Sequence, residues 1–357
     1  MNRKPPRVAR SLSYSEISTA LTCPARWDFA YGDRLAGSSL RRKSISTTLS
    51  DGRAWGAAVA AWHGFRPRDD LYSAYDPQLA RQAAHVALGE AYRADIAEQA
   101  KAGVYVDPEL EVKHTTRLHA LLEHYMDTAD RLPNLTQLEG YFNVPLWSRT
   151  GMQRSTKYRF EGKIDGFTEL DEDGGEWIVE FKLRGQLTPR KQLDLDRQQL
   201  WYAWARQQMS DIPVVGVILD ERLNRVPDPA RTLVNGMPSE AVSEMTTELS
   251  YLELCGELGV EPVPAKIEAL RARRWQQRVP ILFRPGQLAE ASLELVAAGQ
   301  FIHELDAGHM WPVRNAHRPV CGGCRFADIC SNPQDHLYVE SLYERVEPKR
   351  HRERKEG

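Results

Sequence analysis

The spacing of apolar positions divides the chain into a helical first third and a strand-rich middle. Residues 77–102 and 109–131 place alanine and leucine at three- and four-residue intervals, which predicts two long helices. Residues 55–63 are apolar and rich in small side chains, which predicts a buried helix. Ahead of these, Ser13-Tyr14-Ser15-Glu16 has the form of a helix start, with Ser13 as N-cap and Glu16 as its capping-box partner. Residues 1–10 and 38–51 read as loose segments, the first basic with prolines, the second rich in Ser, Thr and Arg.

Near Leu138 the period shortens to two. Residues 137–147, 157–170 and 176–183 read as strands, and Asp171-Glu172-Asp173-Gly174-Gly175 as the turn between the last two. Residues 194–209 return to helical spacing, and 214–219 form a short β-branched strand. This order predicts an α/β fold, with a mixed central sheet flanked by helices and a helical N-terminal region. The expected division is 1–50, carrying the first of the clustered cysteines, 51–137 helical, 138–223 core, 224–283 insertion, and 284–357. The last of these holds a helix over 288–307, a cysteine cluster and a basic tail.

Charge adds little globally. Forty-seven Lys and Arg against 49 Asp and Glu give a net charge of −2, so nucleic-acid binding has to rest on local patches. Arg3, Lys4, Arg7 and Arg10 form one, and Arg41, Arg42 and Lys43 another. Lys349, Arg350, Arg352, Arg354 and Lys355 form a tail that reads as a solvated end. No apolar run approaches the ~20 residues of a membrane span. The N-terminus lacks the apolar core of a signal peptide, so a cytoplasmic protein is expected. No P-loop is present, which excludes an ATP motor of that kind.

Chemistry concentrates in Gly162-Lys163-Ile164-Asp165 and Ile178-Val179-Glu180-Phe181-Lys182. Residues two apart share a strand face, so Glu180 and Lys182 project together while Val179, Phe181 and Leu183 face a core. Burying Glu and Lys inside an apolar strand costs free energy unless they are paired or bind a metal. A turn centred between Glu172 and Asp173 sets Asp165 directly opposite Glu180. Two carboxylates then suit Mg²⁺, and the lysine suits a developing phosphate charge or an attacking water. The competing reading is a cross-strand salt bridge. Gln198 and Tyr202, four apart on the following helix, share a face.

Cys321-Gly322-Gly323-Cys324 followed by Cys330 makes a C-x2-C-x5-C triplet, and Cys23 lies almost 300 residues upstream. Four thiolates suit a [4Fe–4S] cluster or a structural zinc, either of which would staple the two ends of the chain. Cys255 stands alone and reads as ordinary core.

Taken together, these pieces resemble the RecB-like branch of the PD-(D/E)XK nuclease superfamily. More narrowly, they resemble its iron–sulfur members: the AddB nuclease domain, the CRISPR adaptation exonucleases and phage-type exonucleases. The matching pieces are Ser13-Tyr14-Ser15 through Cys23-Pro24, Gly162 to Asp165, Glu180-Phe181-Lys182, Gln198 with Tyr202, and the cysteine triplet.

The resemblance implies a restriction-endonuclease-like core and a DNA exonuclease using Mg²⁺ or Mn²⁺. Asp165, Glu180 and the Phe181 backbone carbonyl would be metal ligands, and Lys182 the catalytic lysine. Gln198 and Tyr202 would position substrate. Cys23, Cys321, Cys324 and Cys330 would hold a [4Fe–4S] cluster. The expected substrate is single-stranded DNA or DNA ends in recombination, repair or replication. A separate helicase, recombinase or annealing protein would act beside it.

One position departs from the pattern. The family often carries a metal-binding His four residues after a helical Gly, and here Gly56 leads to Ala60. His63, roughly one turn further on, is the expected replacement, unless the site manages with fewer ligands. Two rival readings remain: a non-catalytic iron–sulfur DNA-binding module, and a zinc-stabilised protein of unrelated function.

Overall fold

The computed structural model describes residues 9–32, 38–42, 47–64, 76–101, 107–132, 135–147, 153–169, 175–193, 196–331 and 336–348. The basic positions Arg3, Lys4, Arg7 and Lys43, the tail from Lys349 and the turn residues 171–174 lie outside them.

The chain opens with β1 (Arg10–Ser13), α1 (Tyr14–Thr22), α2 (Pro24–Tyr31) and β2 (Ser39–Arg42). Three long helices follow: α3 (Thr47–Gly64), α4 (Pro77–Lys101) and α5 (Pro108–Thr128). Next come β3 (Leu135–Trp147), β4 (Arg154–Glu169), β5 (Glu176–Arg184), α6 (Arg190–Leu193), α7 (Arg197–Gln207) and β6 (Val214–Leu223). The remainder is α8 (Glu248–Leu258), α9 (Pro264–Ala272), β7 (Gln276–Leu282), α10 (Gln287–Asp306), α11 (Arg318–Cys321), α12 (Ala327–Cys330), α13 (His336–Leu342) and β8 (Tyr343–Val346).

Caps set several of these boundaries. Ser13 accepts the Glu16 N–H at 3.3 Å, Asp107 that of Glu109 at 3.0 Å, and Asp196 that of Gln198 at 2.9 Å, each satisfying a donor in a first helical turn. The expected capping box is only half made. Glu16 is fully buried, and its carboxylate takes Arg10 and the Trp27 indole N–H instead. Arg10 also pairs with Asp306 on α10, so it belongs to the core and not to a loose basic end.

The central sheet runs β1-β4-β5-β6-β7, with β3 also on β4. β4–β5 and β6–β7 are antiparallel, while β1–β4 and β5–β6 are parallel. This is the mixed sheet the sequence predicts. One face buries Phe142, Phe160, Ile178, Trp201 and Leu219 beneath α1, α7 and α10. The other buries Trp55, Leu88, Leu121, Val179 and Phe181 against α3, α4 and α5. Cys255 sits in a small satellite core with Tyr251 and Leu270, as expected of an ordinary buried cysteine.

Strands β1, β2 and β8 were not expected, β2 falling inside the segment read as loose, and β6 and β7 differ from expectation near the site. β6 continues past Leu219 through Asp220, Glu221 and Arg222, all buried. Each finds partners: Asp220 takes the Tyr125 hydroxyl and Arg278, Glu221 takes Thr188 and Gln277, and Arg222 donates to the Trp275 carbonyl. The segment expected as an insertion ends in β7, which pairs along β6. Its Pro280 is tolerated because β7 is an edge strand of the described sheet. No helix among the described residues is long and apolar enough to cross a membrane.

Candidate active site

The ladder between β4 and β5 pairs Glu169 with Glu176, Thr168 with Trp177, Phe167 with Ile178 and Gly166 with Val179. The next pair in that register is Asp165 opposite Glu180. Here backbone pairing stops, and the Asp165 carboxylate itself accepts the Phe181 N–H at 2.9 Å. β5 continues beside β6 to Arg184. The strands therefore part where the two carboxylates sit.

Glu180 is 2 % exposed. One of its oxygens receives the Lys182 ammonium and the Gln198 amide, the latter at 3.1 Å. The other, Oε2, is buried with no hydrogen-bond partner among the described residues. Burial pushes the Glu180 carboxyl above the ordinary carboxylate range; Asp165 adds to the push and Lys182 opposes it. Burial works against the Lys182 ammonium, but Glu180 and Asp165 outweigh it and the lysine holds its proton more tightly than usual. The site thus carries two carboxylates and one ammonium in a water-poor setting.

α7 lies over this hairpin. Gln198 and Tyr202 share the expected face, and the Gln198 side chain hydrogen-bonds the Tyr202 phenol. Burial, and then Glu180, raise that phenol's pKa, keeping it neutral. Gly162 makes room for the ring. A Cβ there would lie 3.2 Å from Tyr202 Cζ and 2.5 Å from Phe142 Cζ.

Sequence reasoning missed two contributors. Tyr14, the first residue of α1, packs edge-on against Tyr202 with ring centroids 6.4 Å apart; burial and then Asp196 raise its pKa. Glu221, beside Lys182 on β6, accepts the Thr188 N–H and hydroxyl, which ties down the loop that leaves the site. A charged residue at the end of an apolar strand was the available signal.

A cleft of about 500 Å³ opens onto Asp165, Lys163 and Lys182, with Gly52, Gly56 and Ala57 of α3 as its opposite wall. His63, the residue expected to replace the family's metal-binding histidine, has protein partners on both ring nitrogens. His63 is buried and stacked on Phe181 with ring centroids 5.3 Å apart. Its Nδ1 accepts the Leu132 N–H at 3.0 Å, which leaves Nε2 protonated to meet the Tyr125 hydroxyl at 2.9 Å. With both nitrogens engaged, no lone pair is directed at the carboxylates. Ala60 is likewise core, so α3 turns its 52, 53, 56 and 57 side to the cleft.

The four spaced cysteines gather where the chain's two ends meet. Ala25 N–H donates to the Val313 carbonyl at 3.2 Å. The Asn315 N–H reaches Cys23 Sγ at 3.5 Å, and Cys321 Sγ lies 4.0 Å from the Asn315 carbonyl. Burial raises the Cys330 thiol, and Cys23, Cys324 and Cys321 add to that. All four are free thiols. Among the described residues no three His, Cys, Asp or Glu side chains stand close enough to hold a metal as placed.

A hairpin with facing carboxylates, a lysine two residues on, and a covering helix with Gln and Tyr defines a nuclease-type core. The sequence profile of the PD-(D/E)XK nuclease superfamily matches residues 11–331, and the chain belongs to that superfamily. A crystal structure from Eubacterium rectale, provisionally described as an exonuclease, aligns with 9 % identity and a TM-score of 0.36. It covers 79 % of this chain and 90 % of that one. No curated protein matches the chain.

Proposed function

We propose that the protein is a divalent-metal-dependent DNA exonuclease acting on single-stranded DNA or DNA ends. The observation that carries this reading is Glu180 Oε2, buried and without a partner among the described residues, beside a second carboxylate. An acid kept in that state is unfavourable unless a cation completes it. The donor set is all oxygen, which fits Mg²⁺ or Mn²⁺. Asp165 and Glu180 would hold the ion, with the Phe181 carbonyl as a third ligand. When bound, such an ion stabilises charge on the attacking and leaving oxygens of a phosphodiester.

The chain's own groups do the rest. The Phe181 N–H fixes Asp165, and the Gln198 amide fixes Glu180. Lys182, held protonated, supplies positive charge to the phosphate as the fifth bond forms. Tyr202, kept neutral, keeps its hydroxyl proton available to substrate and does not act as a base. His63 takes no part in this account.

The gathering of Cys23 with Cys321, Cys324 and Cys330 supports a [4Fe–4S] site at the junction of the chain ends. Its role would be to hold those ends together, since phosphodiester hydrolysis needs no electron transfer. The proposed setting is recombination, repair or replication, beside a separate helicase, recombinase or annealing protein.

The test is cleavage of end-labelled single- and double-stranded DNA with and without Mn²⁺. Mononucleotide release that requires Mn²⁺ and disappears in Lys182→Ala is expected. Metal-independent cleavage, or full activity in a folded Lys182→Ala protein, overturns the reading.

A further inference from the structure

One residue beyond Gln198, α7 presents a second polar group with an unusual environment. Gln199 is 2 % exposed, and neither its amide nitrogen nor its oxygen has a hydrogen-bond partner among the described residues. Buried carboxamides are ordinarily paired, so one with both ends unsatisfied needs an explanation. Gln199 lies in the wall of a cavity of about 490 Å³. Leu200 and Phe283 give that cavity apolar surfaces, and Arg190 and Arg284 are exposed at it.

The cavity adjoins the carboxylate hairpin. Asp196 lines it, caps α7, and acts electrostatically on both Glu180 and Tyr14. β7, whose end forms one wall, is two strands from β5, or about 10 Å at ~4.8 Å per strand. A strand threaded past Glu180 therefore reaches the cavity within a few nucleotides.

A carboxamide offers a donor and an acceptor side by side, the pattern that matches the N6 and N7 edge of adenine. Aromatic and aliphatic surface suits a flat ring unstacked from a single strand, and guanidinium groups suit its phosphates. We propose that this cavity is a nucleobase pocket taking an adenine splayed from single-stranded DNA, paired by the Gln199 carboxamide. Arg190 and Arg284 meet the flanking phosphates. The proposal rests on the nuclease reading above and adds a base preference to it.

The experiment is equilibrium binding in EDTA, where no cleavage occurs. Fluorescence anisotropy is recorded with (dA)12, (dT)12 and a 12-mer of abasic backbone. Wild type should bind (dA)12 about ten-fold tighter than the abasic strand, the value of one good bidentate pair. Gln199→Leu keeps the size and removes the amide. It should erase that difference, leave abasic binding unchanged and melt no lower than wild type.

Arg284→Ala is the second variant. It should weaken all three strands while keeping the adenine preference. Equal wild-type binding of the three strands, with Mn²⁺-dependent cleavage intact, overturns the pocket and leaves the nuclease reading standing. So does a preference that survives Gln199→Leu. Absence of both binding and cleavage in wild type overturns both.

Discussion

Replacing Glu180 by glutamine separates a cation-binding hairpin from a merely salt-bridged one. The Glu180 side chain is 3 % exposed, with Lys182 and Gln198 on one oxygen and no described residue on the other. If Glu180 alone neutralised Lys182, the substitution would leave an uncompensated ammonium in a largely buried site, at a cost of up to about 3–5 kcal/mol. If its job is to hold a cation, the metal-free site already carries one carboxylate too many. The neutral amide would then leave Lys182 facing Asp165 alone, and stability in EDTA should change by less than about 1 kcal/mol.

The chain length converts these figures to temperatures. At about 2.1 cal/mol/K per residue, 357 residues give an unfolding entropy of about 0.75 kcal/mol/K, so 1 kcal/mol moves Tm by about 1.3 °C. The salt-bridge reading predicts a fall of about 4–7 °C in EDTA, and the cation reading a shift within about 1.5 °C. Mn²⁺ at a hundred times its Kd should stabilise the wild type by about 2.7 kcal/mol, or about 3.5 °C, and Glu180→Gln should lose that rise together with cleavage. Differential scanning calorimetry in EDTA and across a Mn²⁺ titration reads both numbers. A drop of about 5 °C in EDTA, or a retained Mn²⁺ response, refutes the reasoning.

Three other perturbations probe separate parts of the structure. Gly162→Ala puts a methyl group against Phe142 and Tyr202, and should cost about 1–3 kcal/mol while slowing cleavage; an unchanged melting point and rate would mean that Tyr202 does not pack on β4 as described. Cys23→Ser should lose bound iron and become protease-sensitive at both ends, whereas Cys255→Ser keeps its iron; equal iron content in the two variants removes Cys23 from the cluster. His63, held neutral with a pKa well below 6.5 by burial, with Arg278 and Arg131 adding, stays unprotonated when folded but takes up a proton when unfolded. Its contribution is therefore present above about pH 6.5 and is lost as pH falls below it, by about 1.4 kcal/mol per unit. His63→Gln should flatten the decline of stability between pH 6.5 and 5 by that amount, and an unaltered slope in denaturant titrations would contradict the burial argument.

The carboxylate hairpin was legible because strand periodicity and turn position fix register, and register alone places Asp165 opposite Glu180. Gln198 and Tyr202 were legible for the analogous reason on a helix. The partners of His63 were not legible because helical spacing gives a face only to within about a turn, and the Leu132 N–H and Tyr125 hydroxyl that claim its nitrogens lie 69 and 62 residues away in sequence. β7 escaped notice because Gln276-Gln277-Arg278-Val279-Pro280-Ile281-Leu282 lacks clean alternation, and an edge strand needs only one paired side. Charged residues hid the far half of β6 for a related reason. Asp220, Glu221 and Arg222 look like a strand's end until their partners on α5, the 185–189 loop and the segment before β7 are in place.

The meeting of the chain's two ends also constrains how the protein is made. β2 pairs with β8, Ala25 bonds to Val313, and Arg10 reaches Asp306, so residues 10–42 find these partners only among residues 306–346. On a ribosome adding about 5–20 residues per second, the opening segment waits about 15–60 s for them. Loop closure takes microseconds or less, so synthesis and not chain diffusion sets the delay. During that interval Cys23 lacks Cys321, Cys324 and Cys330, the thiols that lie at the same junction in the folded protein. Any cofactor that needs all four thiols can therefore be loaded only after translation has passed Cys330, which makes its insertion a late step relative to the folding of α3, α4 and α5.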